Sequence, residues 1–132
     1  MNDFALNELE LAPPSVVRQA ARDFAAALAD TPQFKAFEEA GERLRHDEAA
    51  QQAMEAFQSK QNSLQALLML NAVSPEEQAE LERLRNAFLA EASVVAYLQA
   101  EADLRALCQA TADVLSQDVG LNFAAACASG CC

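Results

Sequence analysis

Cys127, Cys131 and Cys132 stand in a C-x3-C-C spacing beside Gly130. Thiols this close can converge on one metal or cluster. Thiolates are the ligands that iron–sulfur clusters require, and they are common ligands of structural zinc. The spacing is neither the paired C-x2-C of a zinc ribbon nor a ferredoxin run. Adjacent Cys131 and Cys132 also direct their side chains apart where the chain is extended. Spacing alone therefore leaves three readings open: metal or cluster binding, an oxidisable tail, or an assembly disulfide. Cys108 is a different case, because it shares a helical face with Leu104, Leu107, Thr111 and Leu115. It reads as a small core residue, and becomes a candidate fourth ligand only if the tail folds back along its helix.

Nothing else in the chain assembles into a reactive constellation. His46 is the only histidine, beside Asp47 at an expected helix boundary. No paired nucleophile or oxyanion loop accompanies it, so it reads as a solvated turn residue rather than a general base. Glu38, Glu39, Glu42 and Glu48 read as a hydrated helix face, and there is no glycine-rich loop to cradle a phosphate. The chain is expected not to be an enzyme.

The elements that must position these groups are helices. Alanine is abundant, Thr and Tyr are scarce, and no alternating strand pattern occurs. Pro13-Pro14 ends a loosely held N-terminal strip (1–14), and Ser15 is expected to cap a helix carrying Val16, Val17, Ala20, Phe24, Ala27 and Leu28 on one face. Thr31-Pro32 restarts the helix as N-cap and first helical residue. Phe34, Phe37 and Leu44 form the apolar face that follows, and Gly41 within it marks close packing or a bend. Asp47 is the next expected N-cap. From there Ala50, Met54, Phe57, Gln61, Leu64 and Leu68 step by four and three, the seam of a long straight helix packed on a neighbour.

Toward the end of that helix the pattern overflows. Leu64, Leu67, Leu68, Leu70 and Val73 belong to a stretch apolar around most of the helix, more than one intramolecular contact needs, which predicts self-association into at least a dimer. Ser74-Pro75-Glu76-Glu77 has the form of a capping box, with Glu77 reaching back to Ser74. Leu81, Leu84 and Phe88 follow on one face. After a weak break at Glu91-Ala92-Ser93, a last helix carries Val95, Leu98, Leu104, Leu107, Cys108, Thr111 and Leu115 and is closed by Gly120. The expected organisation is an all-α fold of long antiparallel helices in a hairpin or bundle, with a helical domain over 15–118 and a cysteine-containing tail over 119–132.

Composition narrows the partners. The net charge is −11, from 9 Lys and Arg against 20 Asp and Glu, with no Trp and one Tyr. A polyanion without aromatic stacking platforms is repelled by phosphate backbones and anionic membranes. Direct nucleic-acid or membrane binding is thus not expected. The first fifteen residues lack the basic and apolar regions of a signal peptide, and the most apolar stretch, 64–73, is too short to cross a bilayer. The reading is a cytoplasmic protein whose four cysteines stay reduced unless a metal or redox role claims them.

Two stretches resemble a known family. DTPQFKAFEEAGERLRHDEAAQQAMEAFQSKQ (30–61) resembles the central region of the YlbF/YmcA family of small helical regulators, in which a "Pro, aromatic, x, x, aromatic" helix start leads to an "Asp, Glu, Ala" start and then a "Phe, x, x, x, Gln" stretch. VAYLQAEADLRALCQATADVLSQDVGLNFAAACASGCC (95–132) resembles the last helix and cysteine tail of YlbF-like members. The likeness covers roughly residues 15 to 132. It implies an oligomeric, non-enzymatic adaptor acting in competence, sporulation and biofilm control. It further implies YmcA-like and YaaT-like partners in a complex that carries 4Fe–4S clusters and adjusts RNA processing through a membrane-anchored endoribonuclease. Cys127, Cys131 and Cys132 match the cluster-associated tail. Three thiols fall one short of the usual four ligands, which leaves Cys108, another subunit or a non-protein group to complete the set. The competing expectation is a structural or chaperone-like helical oligomer whose tail binds zinc or forms disulfides.

Overall fold

The computed structural model describes residues 13–123 and Ala125. Among the described residues five helices follow one another: α1 (Pro14–Ala29), α2 (Pro32–His46), α3 (Glu48–Met69), α4 (Pro75–Leu89) and α5 (Ala92–Val119). No strand occurs among the described residues, so the all-α expectation is met.

The helices form one long hairpin, each limb broken once. α3 packs on α4 beside the turn, α2 packs on α5 further along, and α1 meets α2 mainly at their junction. Each break has a local cause. Asp47 adopts an extended conformation (φ −87°, ψ 97°), and its Oδ1 accepts from the N–H of Ala50 at 3.1 Å, ending α2 and capping α3 in a single residue. Thr31 caps α2 by accepting from Phe34 N–H at 3.2 Å, with Pro32 in the first helical position. Ser74 caps α4 by accepting from Glu77 N–H at 3.2 Å. These three caps are the expected ones. The reciprocal half of the capping box is absent, because the Glu77 carboxylate turns to α3, where Lys60 Nζ lies 2.7 Å from Oε2. This is an ion contact rather than an aligned hydrogen bond, and it ties the limbs of the hairpin together.

Two local expectations are corrected. The residue flanking α1 is Pro13, whose carbonyl accepts from Val16 N–H at 2.9 Å, and Ser15 lies inside the helix. Pro14, with its preset φ and no N–H to lose, suits the first helical position, so the helix starts one residue before the serine. The weak break at 91–93 is a full helix boundary: α4 ends at Leu89, and Glu91 (φ −61°, ψ 132°) redirects the chain into α5.

At the tip, α3 closes with a Schellman turn. Asn71 takes the left-handed conformation (φ 54°), the N–H of Ala72 bonds to Leu67 O at 2.8 Å, and the N–H of Asn71 bonds to Leu68 O at 3.2 Å. The helix therefore ends at Met69, and Leu70 and Val73 lie in the turn rather than on the helix.

The core is thin. Among the described residues the buried apolar side chains are Ala40, Ala50, Leu64, Val94 and Ala100. Three of the five are alanines, which bring helix backbones close while burying little area each. The Phe37 and Tyr97 rings pack with centroids 5.3 Å apart and tilted by 37°, within the range of favourable aromatic pairs. Where the four helices of the hairpin meet, Leu44, Met54, Phe88 and Tyr97 line one small cleft. The seam on α3 holds at Ala50, Met54, Phe57 and Leu64, whereas Gln61 and Leu68 are exposed. On α5 the reading was one residue off at its start: Val94 and Ala100 are buried, whereas Val95 and Leu98 are 53% and 44% exposed.

Gly41 does not bend α2, which runs unbroken through it. A Cβ there would stand 3.7 Å from Tyr97 Cε2 and 3.9 Å from the Arg45 guanidinium, ordinary contact distances. Gly41→Ala is therefore expected to stabilise the fold by about 0.5–1 kcal/mol through helix propensity, read as a raised denaturant midpoint with unchanged slope. Gly41→Leu is expected to destabilise it by displacing the Tyr97 ring.

Candidate functional site

Cys127, Cys131 and Cys132 lie outside the described residues. The structure does show how the chain approaches them. Gly120 closes α5 in the left-handed conformation (φ 67°), and the chain then turns back on its own helix. Phe123 N–H donates to Ser116 Oγ at 3.0 Å, while that hydroxyl donates to Ala112 O at 2.7 Å. Asn122 Oδ1 accepts from Ala125 N–H at 3.0 Å.

Cys108 is a correction. It is an exposed free thiol rather than a core residue. Its position on the apolar face of α5 was read properly, but the helix it should pack against ends there. α2 runs antiparallel to α5 with Asp47 beside Ser93. Pro32, fifteen residues before Asp47, therefore falls about opposite Cys108 at equal rise along both helices. Leu104, Leu107 and Thr111 are half-buried, and Leu115 and Val119 beyond them are exposed. Among the described residues no group of three or more His, Cys, Asp or Glu side chains converges as a metal site.

The expected self-association residues divide. Leu64 is buried at 5% exposure and is spent inside the hairpin, which corrects its place on an outer surface. Leu67, Leu68 and Leu70 are 41%, 40% and 75% exposed, and Met69 beside them is 82% exposed. Val73 is half-buried. With Phe57, Leu81 and Arg85, the side chains of Leu68 and Val73 line a cleft of about 330 Å³ at the tip.

His46 caps its own helix face. Its Nδ1 lies 2.9 Å from Glu42 O and 3.4 Å from Glu42 Oε1, in solvent. Glu42 also pairs with Arg45, whose hydrogen bond and charge hold that carboxyl below the usual range, and Glu39 pairs with Arg43 at 2.8 Å. These carboxylates serve surface ion pairs along α2.

The comparisons with known proteins fit this architecture. A family model described as "Control of competence regulator ComK, YlbF/YmcA" matches residues 17–120, a span reaching from α1 to the end of α5. The chain belongs to the YlbF/YmcA family. A UPF0342 protein of Symbiobacterium thermophilum is 32% identical over 106 residues, covering 78% of this chain and 95% of that protein. No solved structure matches the chain. The resemblance read from 30–61 and 95–132 is thus confirmed for the helices, while the tail thiols lie beyond the matched span. No helix among the described residues is long and apolar enough to cross a membrane.

Within this YlbF/YmcA chain, the contact that sequence reading missed is at Asp47. While Oδ1 caps α3, Oδ2 accepts from Ser93 Oγ at 2.6 Å, so one carboxylate joins the broken middles of both limbs. No sequence signal pairs residues 46 positions apart. The Ser93 hydroxyl, and after it the Ala50 N–H, hold the Asp47 carboxyl below its ordinary range. A carboxyl depressed in the folded state contributes stability that is fully present above its unfolded-state value and is lost as pH falls through the folded value. The melting midpoint should therefore fall in acid, below about pH 4. Ser93→Ala should lower the midpoint at neutral pH and flatten that acid dependence, as followed by circular dichroism. An unchanged acid slope in Ser93→Ala would remove Asp47 from this role.

Proposed function

We propose that this chain is a non-enzymatic regulatory adaptor that works as a homo-oligomer in complexes with other proteins, its C-terminal thiols carrying an iron–sulfur cluster. The observation that carries the regulatory reading is the family match across all five helices to regulators of competence. YmcA-like and YaaT-like proteins are the proposed partners, with RNA processing by an endoribonuclease, and through it competence, sporulation and biofilm formation, as the controlled step. With a charge of −11 the chain influences RNA through such partners rather than by touching it.

The cluster reading rests on donor chemistry. Cys127, Cys131 and Cys132 supply three thiols. The exposed thiol of Cys108 stands on the same helix to which the chain turns back after Gly120. Cys108 stands eight residues of helix, about 12 Å, from the Ser116 hydroxyl that Phe123 N–H engages. Such a cluster, when bound, would supply sensitivity to oxygen or iron supply.

Protein purified without oxygen is expected to contain iron and sulfide and to absorb broadly in the visible, losing both in air. Single changes Cys127→Ser, Cys131→Ser and Cys132→Ser should each lower iron content, and Cys108→Ser should lower it equally if that residue is the fourth ligand. Iron retained in the triple Ser variant, or zinc alone in anaerobic protein, would replace this reading with the structural, zinc- or disulfide-bearing one.

Self-association is proposed at the tip. Leu67→Glu with Leu70→Glu should lower the mass of the assembly in sedimentation while leaving helicity intact, because both side chains are already largely exposed.

A further inference from the structure

We infer that Met69 is an oxidation site: its thioether takes an oxygen atom from a peroxide, and the sulfoxide so formed withdraws apolar surface from the tip of the hairpin. The inference rests on the reading of the tip as an association surface and adds a redox control to it.

Met69 is the last residue of α3 and, at 82% exposure, the most exposed large apolar side chain among the described residues. The way the helix ends sets its direction. Leu64 is buried in the seam, and Met69, five residues on, is rotated about 140° away from it. The turn that closes α3 then fixes the backbone around it, through Ala72 N–H to Leu67 O at 2.8 Å and Asn71 N–H to Leu68 O at 3.2 Å. A hydrogen-bonded turn therefore holds the side chain outward. The 15 residues of α2 and 22 of α3, about 55 Å of helix, separate this place from α1, and α4 and α5 separate it from Gly120.

The side chains around Met69 are leucines: Leu67, Leu68 and Leu70 are 41%, 40% and 75% exposed. A fourth leucine would offer the same apolar contact at nearly the same volume. The thioether adds one property, a reversible two-electron oxidation. Sδ gives an electron pair to one oxygen of the peroxide, the O–O bond breaks and the S–O bond forms. The second oxygen leaves as water, or as the alcohol when the oxidant is an alkyl hydroperoxide. A dithiol reductase reverses the step, releasing the oxygen as water while its own thiols close to a disulfide. The product is a polar side chain that prefers water to an apolar contact.

An internal control is built into the chain. Met54 is half-buried and lines the cleft with Leu44, Phe88 and Tyr97, where an oxidant dissolved in water reaches it less readily than it reaches Met69.

Full-length protein treated with a low excess of hydrogen peroxide and then returned to dithiothreitol, which reduces disulfides and leaves sulfoxide, tests this. Peptide mass mapping should show one added oxygen at Met69 accumulating at least about fivefold faster than at Met54. Sedimentation should show the dissociation constant of the assembly raised at least about tenfold, with helicity unchanged in circular dichroism. Met69→Leu should assemble like the untreated wild type and ignore peroxide. Because that variant keeps all four cysteines, the comparison removes thiol oxidation as the cause. Met69→Gln, polar and of similar length, should assemble weakly without any oxidant. Equal oxidation of Met54, equal peroxide response in Met69→Leu, or full assembly of protein oxidised at Met69 would each overturn the inference and leave the tip reading standing. If Leu67→Glu with Leu70→Glu does not weaken assembly, the tip reading fails and the redox control falls with it.

Discussion

The structure depends on one carboxylate. Asp47 ends α2, caps α3 with one oxygen and accepts the Ser93 hydroxyl with the other. A single residue at a helix boundary ordinarily fixes only local geometry. Here it also sets the register between the two limbs, because the Ser93 contact aligns the start of α5 with the end of α2. From that alignment follow the Phe37–Tyr97 packing, the burial of Val94 and Ala100, and the place at which α2 ceases to cover α5. Directional polar contacts matter more than usual in a protein with so few large buried side chains, since alanine-rich contacts slide past one another at little cost.

A thin core has a functional corollary. In a compact globule the apolar surface is consumed by folding, whereas this hairpin leaves apolar side chains at both ends: Leu67, Met69 and Leu70 at the tip, and Val16, Val17, Phe24 and Val119 at the other. The middle, where four helices meet, holds the fold. The ends carry the exposed apolar surface. That division is found in a chain of a regulator family. Its surface ion pairs, such as Glu39–Arg43 and Glu101–Arg105, stabilise single helices modestly and keep the exposed faces soluble.

The thiols stand apart from this scheme. The family match ends at residue 120, seven residues before Cys127, so the fold and the cysteine tail are separable features of the chain. Cys108 links them. It sits at the edge of the helical cover, exposed because its neighbour helix has ended, on the same helix as the Ser116 hydroxyl that the returning chain engages.

Local chemistry settled most of the helices. Thr31, Asp47 and Ser74 announce their caps because a short oxygen-bearing side chain before a helical pattern has a backbone N–H to satisfy. Gly120 announces the end of α5 because only glycine enters the left-handed conformation without cost. The three-and-four spacing marked the α3 seam at Ala50, Met54, Phe57 and Leu64, though not at Gln61. What the sequence could not determine was which face meets which neighbour, and for how long. Cys108 and Leu64 have equally good apolar positions, yet one is exposed and the other buried, because α2 stops opposite the first while α4 packs on the helix that carries the second. Glu77 belonged by pattern to Ser74 and went instead to Lys60, since a cation on the facing helix attracts a carboxylate more strongly than a backbone N–H already close to water. Helix limits are written in short-range bonds, whereas burial depends on the lengths and register of two helices at once, and only the tertiary structure brings those together.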